Sequence, residues 1–289
     1  MEHIGVIGLG LLGGAMAERL SASEYHVTGY DLDRQRCDAL KSCGVHIAEN
    51  AQAVVQSANR VILCLPTTEI VETVLDSVRP HIRSRQILID ATTGDPAHMI
   101  RIAEKIGQLG AFYLDASVAG SSELARQGKV VLLVGGDDRE VERCAYLFQT
   151  LALKAIHLGP AGSGAKFKLV HNLLLGLHRA VLAEGLCLAD ALNLDRGLVL
   201  NVLKETVAYS RVMDSKGDKM VQRDFSPQAT LSQHLKDVKL MLAAGERTGQ
   251  PLPLTDLHCQ LLTQAEIAGF GTEDNSAIIR MFERQRGEA

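Results

Sequence analysis

Short apolar runs alternate with segments of helical period through the first half of the chain. The β-like runs are His3–Ile7, His26–Tyr30, Val61–Leu65, Gln86–Ile89, Ala111–Leu114, Val130–Val134 and Ala155–Leu158. Between them, Ala15–Leu20, Arg34–Leu40, Ile70–Val78 and Met99–Leu109 follow the spacing of a helix with one buried face. Strand, helix and strand in regular alternation predict an α/β fold, a doubly wound and mostly parallel sheet with helices on both faces. Runs such as Val61-Ile62-Leu63-Cys64-Leu65 are almost continuously apolar, as strands covered on both sides are.

After Gly159-Pro160-Ala161-Gly162 the pattern changes and no further strand is predicted. A long segment from about 164 to 193 is apolar on nearly all sides, the pattern of a helix buried in a bundle. Helical periods follow at Leu198–Val207, Leu231–Thr248, Asp256–Ala268 and Ser276–Arg284, separated by Gly or Pro. This long stretch and the apolar run Leu252–Leu262 exceed what a small helical domain buries alone, so at least a homodimer is expected.

Composition narrows the classes. With 46% hydrophobic and 22% charged residues among 289, the chain is that of an ordinary globular protein, not a disordered or fibrous one. A net charge of −4 without a Lys/Arg cluster argues against nucleic acid as a partner. His178, Arg179, Glu184 and Asp190 interrupt the long apolar stretch, which argues against a membrane span. No signal-peptide pattern opens the chain, and the six cysteines at 37, 43, 64, 144, 187 and 259 form no CxxC pair. Scattered reduced thiols in a cytoplasmic protein, with no disulfide framework and no metal site, are the expectation.

Gly8-Leu9-Gly10-Leu11-Leu12-Gly13 follows an apolar run and opens a helical one. In that context the first glycine permits a tight turn, the second lets the backbone approach a pyrophosphate, and the third lets helix pack on strand. Unpaired amides at the helix start would face the phosphates. Asp31 ends the next β run, where a carboxylate accepts hydrogen bonds from ribose hydroxyls and repels a 2′-phosphate. NAD is therefore favoured over NADP, with Arg34 and Arg36 nearby keeping the second in view. The chain reads as a Rossmann-type NAD-binding domain over 1–160 and an all-helical domain over 161–289, which carries substrate contacts and dimerisation.

Lys168, His171 and Asn172 are spaced to share one face of the long helix. An unpaired ammonium on an apolar helix is costly, and burial lowers a lysine pKa toward the range useful for proton transfer. Lys168 could take a proton from a substrate hydroxyl as hydride leaves the carbon, and Asn172 could hold the same oxygen or the substrate's far end. A lysine snorkelling to a surface is the alternative. His171 reads as a structural or substrate-orienting histidine rather than a metal ligand.

These motifs, taken in order, resemble the β-hydroxyacid dehydrogenase family over nearly the whole chain. The resemblance rests on the glycine fingerprint with Ala15-Met16-Ala17, on Leu65-Pro66, on Asp90 through Pro96, on Asp115-Ala116-Ser117-Val118-Ala119-Gly120-Ser121, and on the run from Gly162 to Asn172. Lys236-Asp237 resembles a later motif whose lysine lies near the nicotinamide. The resemblance implies Lys168 as the catalytic lysine and Asn172 as a substrate-binding asparagine. It further implies substrate contacts at Ala119, Gly120 and Ser121, and cofactor contacts at Leu65, Pro66, Thr93 and Lys236. Ala119 stands where the family usually has serine, Ser117 where it has proline, and Leu175 where the 6-phosphogluconate enzymes carry glutamate. A hydride transfer between NAD and a small 3-hydroxy acid or its semialdehyde is the implied activity. An imine reductase of the same architecture and a non-catalytic dinucleotide-binding protein are the alternatives. Ser210, Arg211, Lys216 and Lys236 are candidate cleft residues, with solvated surface the default reading for the first three.

Overall fold

A computed structural model describes residues 2–23 and 25–287. The first half builds β1 (His3–Ile7), α1 (Leu11–Ser21), β2 (His26–Tyr30), α2 (Arg34–Lys41), β3 (His46–Ile47), α3 (Ala51–Ser57), β4 (Arg60–Leu63), α4 (Thr68–Val78), β5 (Ile87–Asp90) and α5 (Pro96–Gly107). It continues with β6 (Phe112–Ala119), α6 (Ser122–Arg126), β7 (Val130–Gly135), α7 (Asp138–Arg143), α8 (Ala145–Leu151) and β8 (Ala152–His157). The second half is helical: α9 (Ser163–Ala191), α10 (Arg196–Lys204), α11 (Asp218–Gln222), α12 (Leu231–Thr248), α13 (Pro253–Ala265) and α14 (Ile279–Gly287). The chain divides into two compact units, Met1–Lys168 and Leu169–Ala289.

The strands form one sheet in the order β3-β2-β1-β4-β5-β6-β7-β8. All neighbours pair in parallel except β6 and β7. Ile4, Val6, Ile62, Ile89 and Leu114 pack on one face with Met16, Leu20 and Leu147. Ile7, Val61, Leu63 and Leu88 pack on the other with Val54, Val71, Met99 and Ile102. Helix starts follow their local chemistry. Asp33, Asn50, Thr67 and Asp95 each turn a side-chain oxygen onto a free amide at the start of α2, α3, α4 and α5.

Three expectations change. The β run read as Ala111–Leu114 continues to Ala119, so Asp115–Ala119 belong to the strand. The added residues pair antiparallel with β7, from Asp115↔Gly135 to Ala119↔Val131, and this ladder outweighs the small polar residues in them. Second, α9 buries one stripe, including Leu169, Leu182, Ala183 and Leu186, while Leu174, Leu175, Val181 and Leu188 stay exposed within the chain. By length and composition α9 could span a membrane, yet half of its most apolar window is buried in the protein. Third, Lys216 is buried, and its ammonium donates to both oxygens of Asp274 at 2.9 and 2.8 Å. Six elements too short to show a period, β3, α3, α6, α7, α8 and α11, were not visible in the pattern.

Candidate active site

The three glycines of the first loop do different work. At Gly8 the backbone has φ +95°, and an added Cβ would overlap the Cys64 carbonyl oxygen. A Cβ on Gly13 would overlap the Gly8 carbonyl, so both glycines serve the tight seating of α1 on β1 and β4. Gly10 is different. A Cβ there meets only Arg36 Nη1, at 3.7 Å, so packing does not require the glycine. Gly10 also sits at the N-cap of α1, where no side chain caps the helix. Open space before uncapped amides is what a pyrophosphate needs, and the loop fits a dinucleotide on that ground. Leu9 is buried beneath the loop, Leu11 projects outward, and Leu12 packs against the core.

Asp31 lies at the end of β2 and is tied to this loop. Its Oδ2 accepts from Leu9 N at 2.7 Å and its Oδ1 from Asp33 N at 2.8 Å. Arg36 reaches both Asp31, at 3.6 Å, and Asp33, at 3.3 Å. After β4, Leu65 N donates to Thr92 Oγ1 at 3.1 Å, which joins the Leu65-Pro66 turn to the segment carrying Thr93. Beneath it Asp90 is fully buried, accepting from Thr92 N at 2.8 Å and from the Tyr113 hydroxyl at 2.5 Å.

Burial pushes the Asp90 carboxyl up to about 6. The folded state therefore binds this proton more tightly than the unfolded one, and the stability so contributed is lost as pH rises from about 4 through 6. Asp90→Asn removes the ionisation. Thermal unfolding at pH 4 and pH 8 should show the variant gaining on the wild type by on the order of 2 kcal/mol at the higher pH. An equal difference at both pH values would refute the assignment.

At the far end of β6, Ala119 is half-buried and offers no hydroxyl. Gly120 has φ +152°, and a Cβ would press on Val130, so the turn requires glycine. Ser121 Oγ caps α6 by accepting from Leu124 N at 3.2 Å, which leaves its own proton to donate. Lys168 is 7% exposed and its Nζ donates to Val118 O at 2.6 Å, so the side chain is turned inward onto β6 and does not snorkel.

In the second unit Asn172 is buried one turn along α9 from Lys168. Its Nδ2 donates to Asp237 Oδ2 at 3.0 Å, and its Oδ1 faces His171 Nδ1 at 3.0 Å. Lys236 Nζ lies 3.2 Å from Asp237 Oδ1. The structure thus joins Asn172 and Lys236 through Asp237, a residue the sequence motif contained without showing its role, and His171 attaches through Asn172. Arg179, two turns further along α9, is 2% exposed. Its Nε and Nη2 have no hydrogen-bond partner among the described residues, and burial lowers its guanidinium to about 10, opposed by Asp274 and Asp237. Arg179 was visible as a charge interrupting the apolar stretch, but its burial could not be read from a helix that looked apolar on nearly all sides.

Two family models match the chain. Residues 3–159 match the model for the NAD-binding domain of 6-phosphogluconate dehydrogenase. Residues 162–282 match the model described as NAD-binding of NADP-dependent 3-hydroxyisobutyrate dehydrogenase. The chain belongs to the β-hydroxyacid dehydrogenase family. Among its relatives, 2-(hydroxymethyl)glutarate dehydrogenase of Eubacterium barkeri is 30% identical over 288 residues, 98% of this chain and 96% of that one. The cytokine-like nuclear factor N-PAC of Homo sapiens is 27% identical over 284 residues, 97% of this chain and 51% of that one. The chain therefore spans about half the length of the N-PAC relatives. A 3-hydroxyisobutyrate dehydrogenase from Mycobacterium tuberculosis, solved with L-serine, superposes with a TM-score of 0.89 at 26% identity, covering 97% of this chain and 98% of that one. A β-hydroxyacid dehydrogenase of this type is an oxidoreductase with an NAD(P)-binding domain.

Proposed function

We propose that the protein transfers hydride between NAD(H) and a small 3-hydroxy acid or its semialdehyde, with Lys168 as the proton-transfer residue. The carrying observation is the Lys168 amine, buried and aimed by the Val118 carbonyl at 2.6 Å. Bound nicotinamide would supply or accept the hydride, held by the Gly8–Gly13 loop, Asp31, the Leu65-Pro66 turn and Thr93. Lys168 gives one N–H to Val118 and, when neutral, is the base that would take the substrate hydroxyl proton. In the reverse direction the same atom returns that proton to the alkoxide oxygen. Asn172 spends one amide hydrogen on Asp237 and has a second for the substrate oxygen. Its orientation is set by His171 on the other side. Gly120 and Ser121 can meet a substrate carboxylate through backbone and hydroxyl, in place of the hydroxyl that Ala119 lacks. Asp31 opposes a 2′-phosphate, while Arg36 is already engaged by two carboxylates, and this supports NAD.

A panel of 3-hydroxy acids and semialdehydes, followed by cofactor absorbance, tests the reading. We expect turnover with at least one member and a preference for NAD of at least about tenfold, equivalent to 1.4 kcal/mol. Cofactor binding without turnover anywhere on the panel, or turnover only of cyclic imines, would reject it. The same preparation should run as at least a dimer in light scattering, with the exposed leucines of α9 covered.

A further inference from the structure

Asp115, in the middle of β6, has no part in the chemistry described above, yet it is fully buried and heavily served. Its Oδ1 accepts from Gly162 N at 2.6 Å and its Oδ2 from Ala165 N at 2.8 Å, both amides at the start of α9. Two further positions are shaped around it. A Cβ on Gly135 would come within 2.5 Å of Oδ1, and one on Gly164 within 2.8 Å of Oδ2. Burial raises the carboxyl pKa against these backbone donors, which favour the ion. A buried carboxylate carries a desolvation cost, and here it faces the positive end of a 29-residue helix.

The same strand holds the same helix a second time. Val118, three residues on from Asp115, accepts from Lys168 Nζ, three residues on from Ala165. Strand and helix are therefore pinned at two points, by a carboxylate on the first turn and by a carbonyl on the lysine. If the first turn shifts, the Lys168 Cα shifts with it, and the amine loses its register against Val118.

We propose that Asp115 is the positioning residue for Lys168, its carboxylate fixing the first turn of α9 so that the amine is presented in a reactive direction. The role rests on the reading of Lys168 as the proton-transfer residue. A helix cap with no further role would cost stability alone. Positioning also costs kcat in the folded protein, because misplacement by about 1 Å can reduce a rate on the order of 10²-fold.

The test uses Asp115→Asn, which keeps the size but sets an amide N–H against a backbone N–H, and the smaller Asp115→Ser. Asp137→Ala serves as a matched cap loss, since Asp137 caps α7 through Arg139 N at 3.0 Å. At a temperature where all are folded by circular dichroism, Asp115→Asn should lose about 10²-fold in kcat. Its kcat–pH profile should shift, and its dissociation constant for reduced cofactor should stay within about twofold. Asp115→Ser should fall between, and Asp137→Ala should keep the wild-type kcat and profile. A folded Asp115→Asn with wild-type kcat and profile would overturn the proposal, as would failure of both Asp115 variants to fold at low temperature, which assigns the residue to the fold alone. Lys168→Ala is run beside them. If it retains turnover, the reading of the site fails irrespective of Asp115; if it is inactive while Asp115→Asn is normal, only the positioning role falls.

Discussion

Lys168→Ala should lower kcat by about 10³-fold on the true substrate and leave the affinity for dinucleotide nearly unchanged. The expected size follows from the loss of the group that carries the hydroxyl proton, since general acid–base catalysis contributes roughly 10²–10⁴-fold. The cofactor loop lies between β1 and α1 and is fastened to the end of β2, where Gly8 N donates to Tyr30 O and Leu9 N to Asp31 Oδ2. Lys168→Met is the better control for packing. It keeps the stem that fills the buried site and removes only the amine, while the Val118 carbonyl loses its donor. Steady-state rates with cofactor titration by fluorescence check both. Near-normal turnover in Lys168→Met would remove the lysine from the mechanism.

The second large effect separates the glycines of the first loop. Gly10→Ala should leave the melting temperature unchanged, because its Cβ would find only Arg36 Nη1 at 3.7 Å. Affinity for NAD(H) should fall by about tenfold or more, since the methyl group enters the space kept for the pyrophosphate. Gly13→Ala should act the other way round. Its Cβ would overlap the Gly8 carbonyl, a backbone atom that cannot move aside without lifting α1 from β1. Overpacking of this kind costs about 1–3 kcal/mol or more, so unfolding midpoints should drop before any ligand is added. Differential scanning fluorimetry with and without NAD reads both. Equal loss of stability in the two variants would contradict the distinction.

Much of the site was legible because its residues lie close together along the chain. The glycine loop, Asp31 and the pair Lys168 and Asn172 are local spacings that imply a turn or a helical face, and the folded chain has a positive φ at Gly8 and carries Lys168 and Asn172 on α9. Asp115 and Asp90 were less legible. Each ends or interrupts an apolar run, which signals a buried carboxylate, but nothing local shows that their partners are Gly162 and Ala165 in one case and Tyr113 in the other. Lys216 was misread as solvated for the same reason. Its partner Asp274 is 58 residues away.

From the order of residues alone came the alternation of strand and helix, the change to an all-helical second half, the dinucleotide loop and the lysine. These depend on period and on backbone freedom, which act over a few residues. The extension of β6, the inward turn of the Lys168 amine and the joining of Asn172 to Asp237 required the folded chain. Each depends on hydrogen bonds between residues that are not neighbours along the chain, from the β6–β7 ladder to Lys168 with Val118, 50 residues apart, and Asn172 with Asp237, 65 apart, and a buried polar group takes whichever partner the packing brings to it.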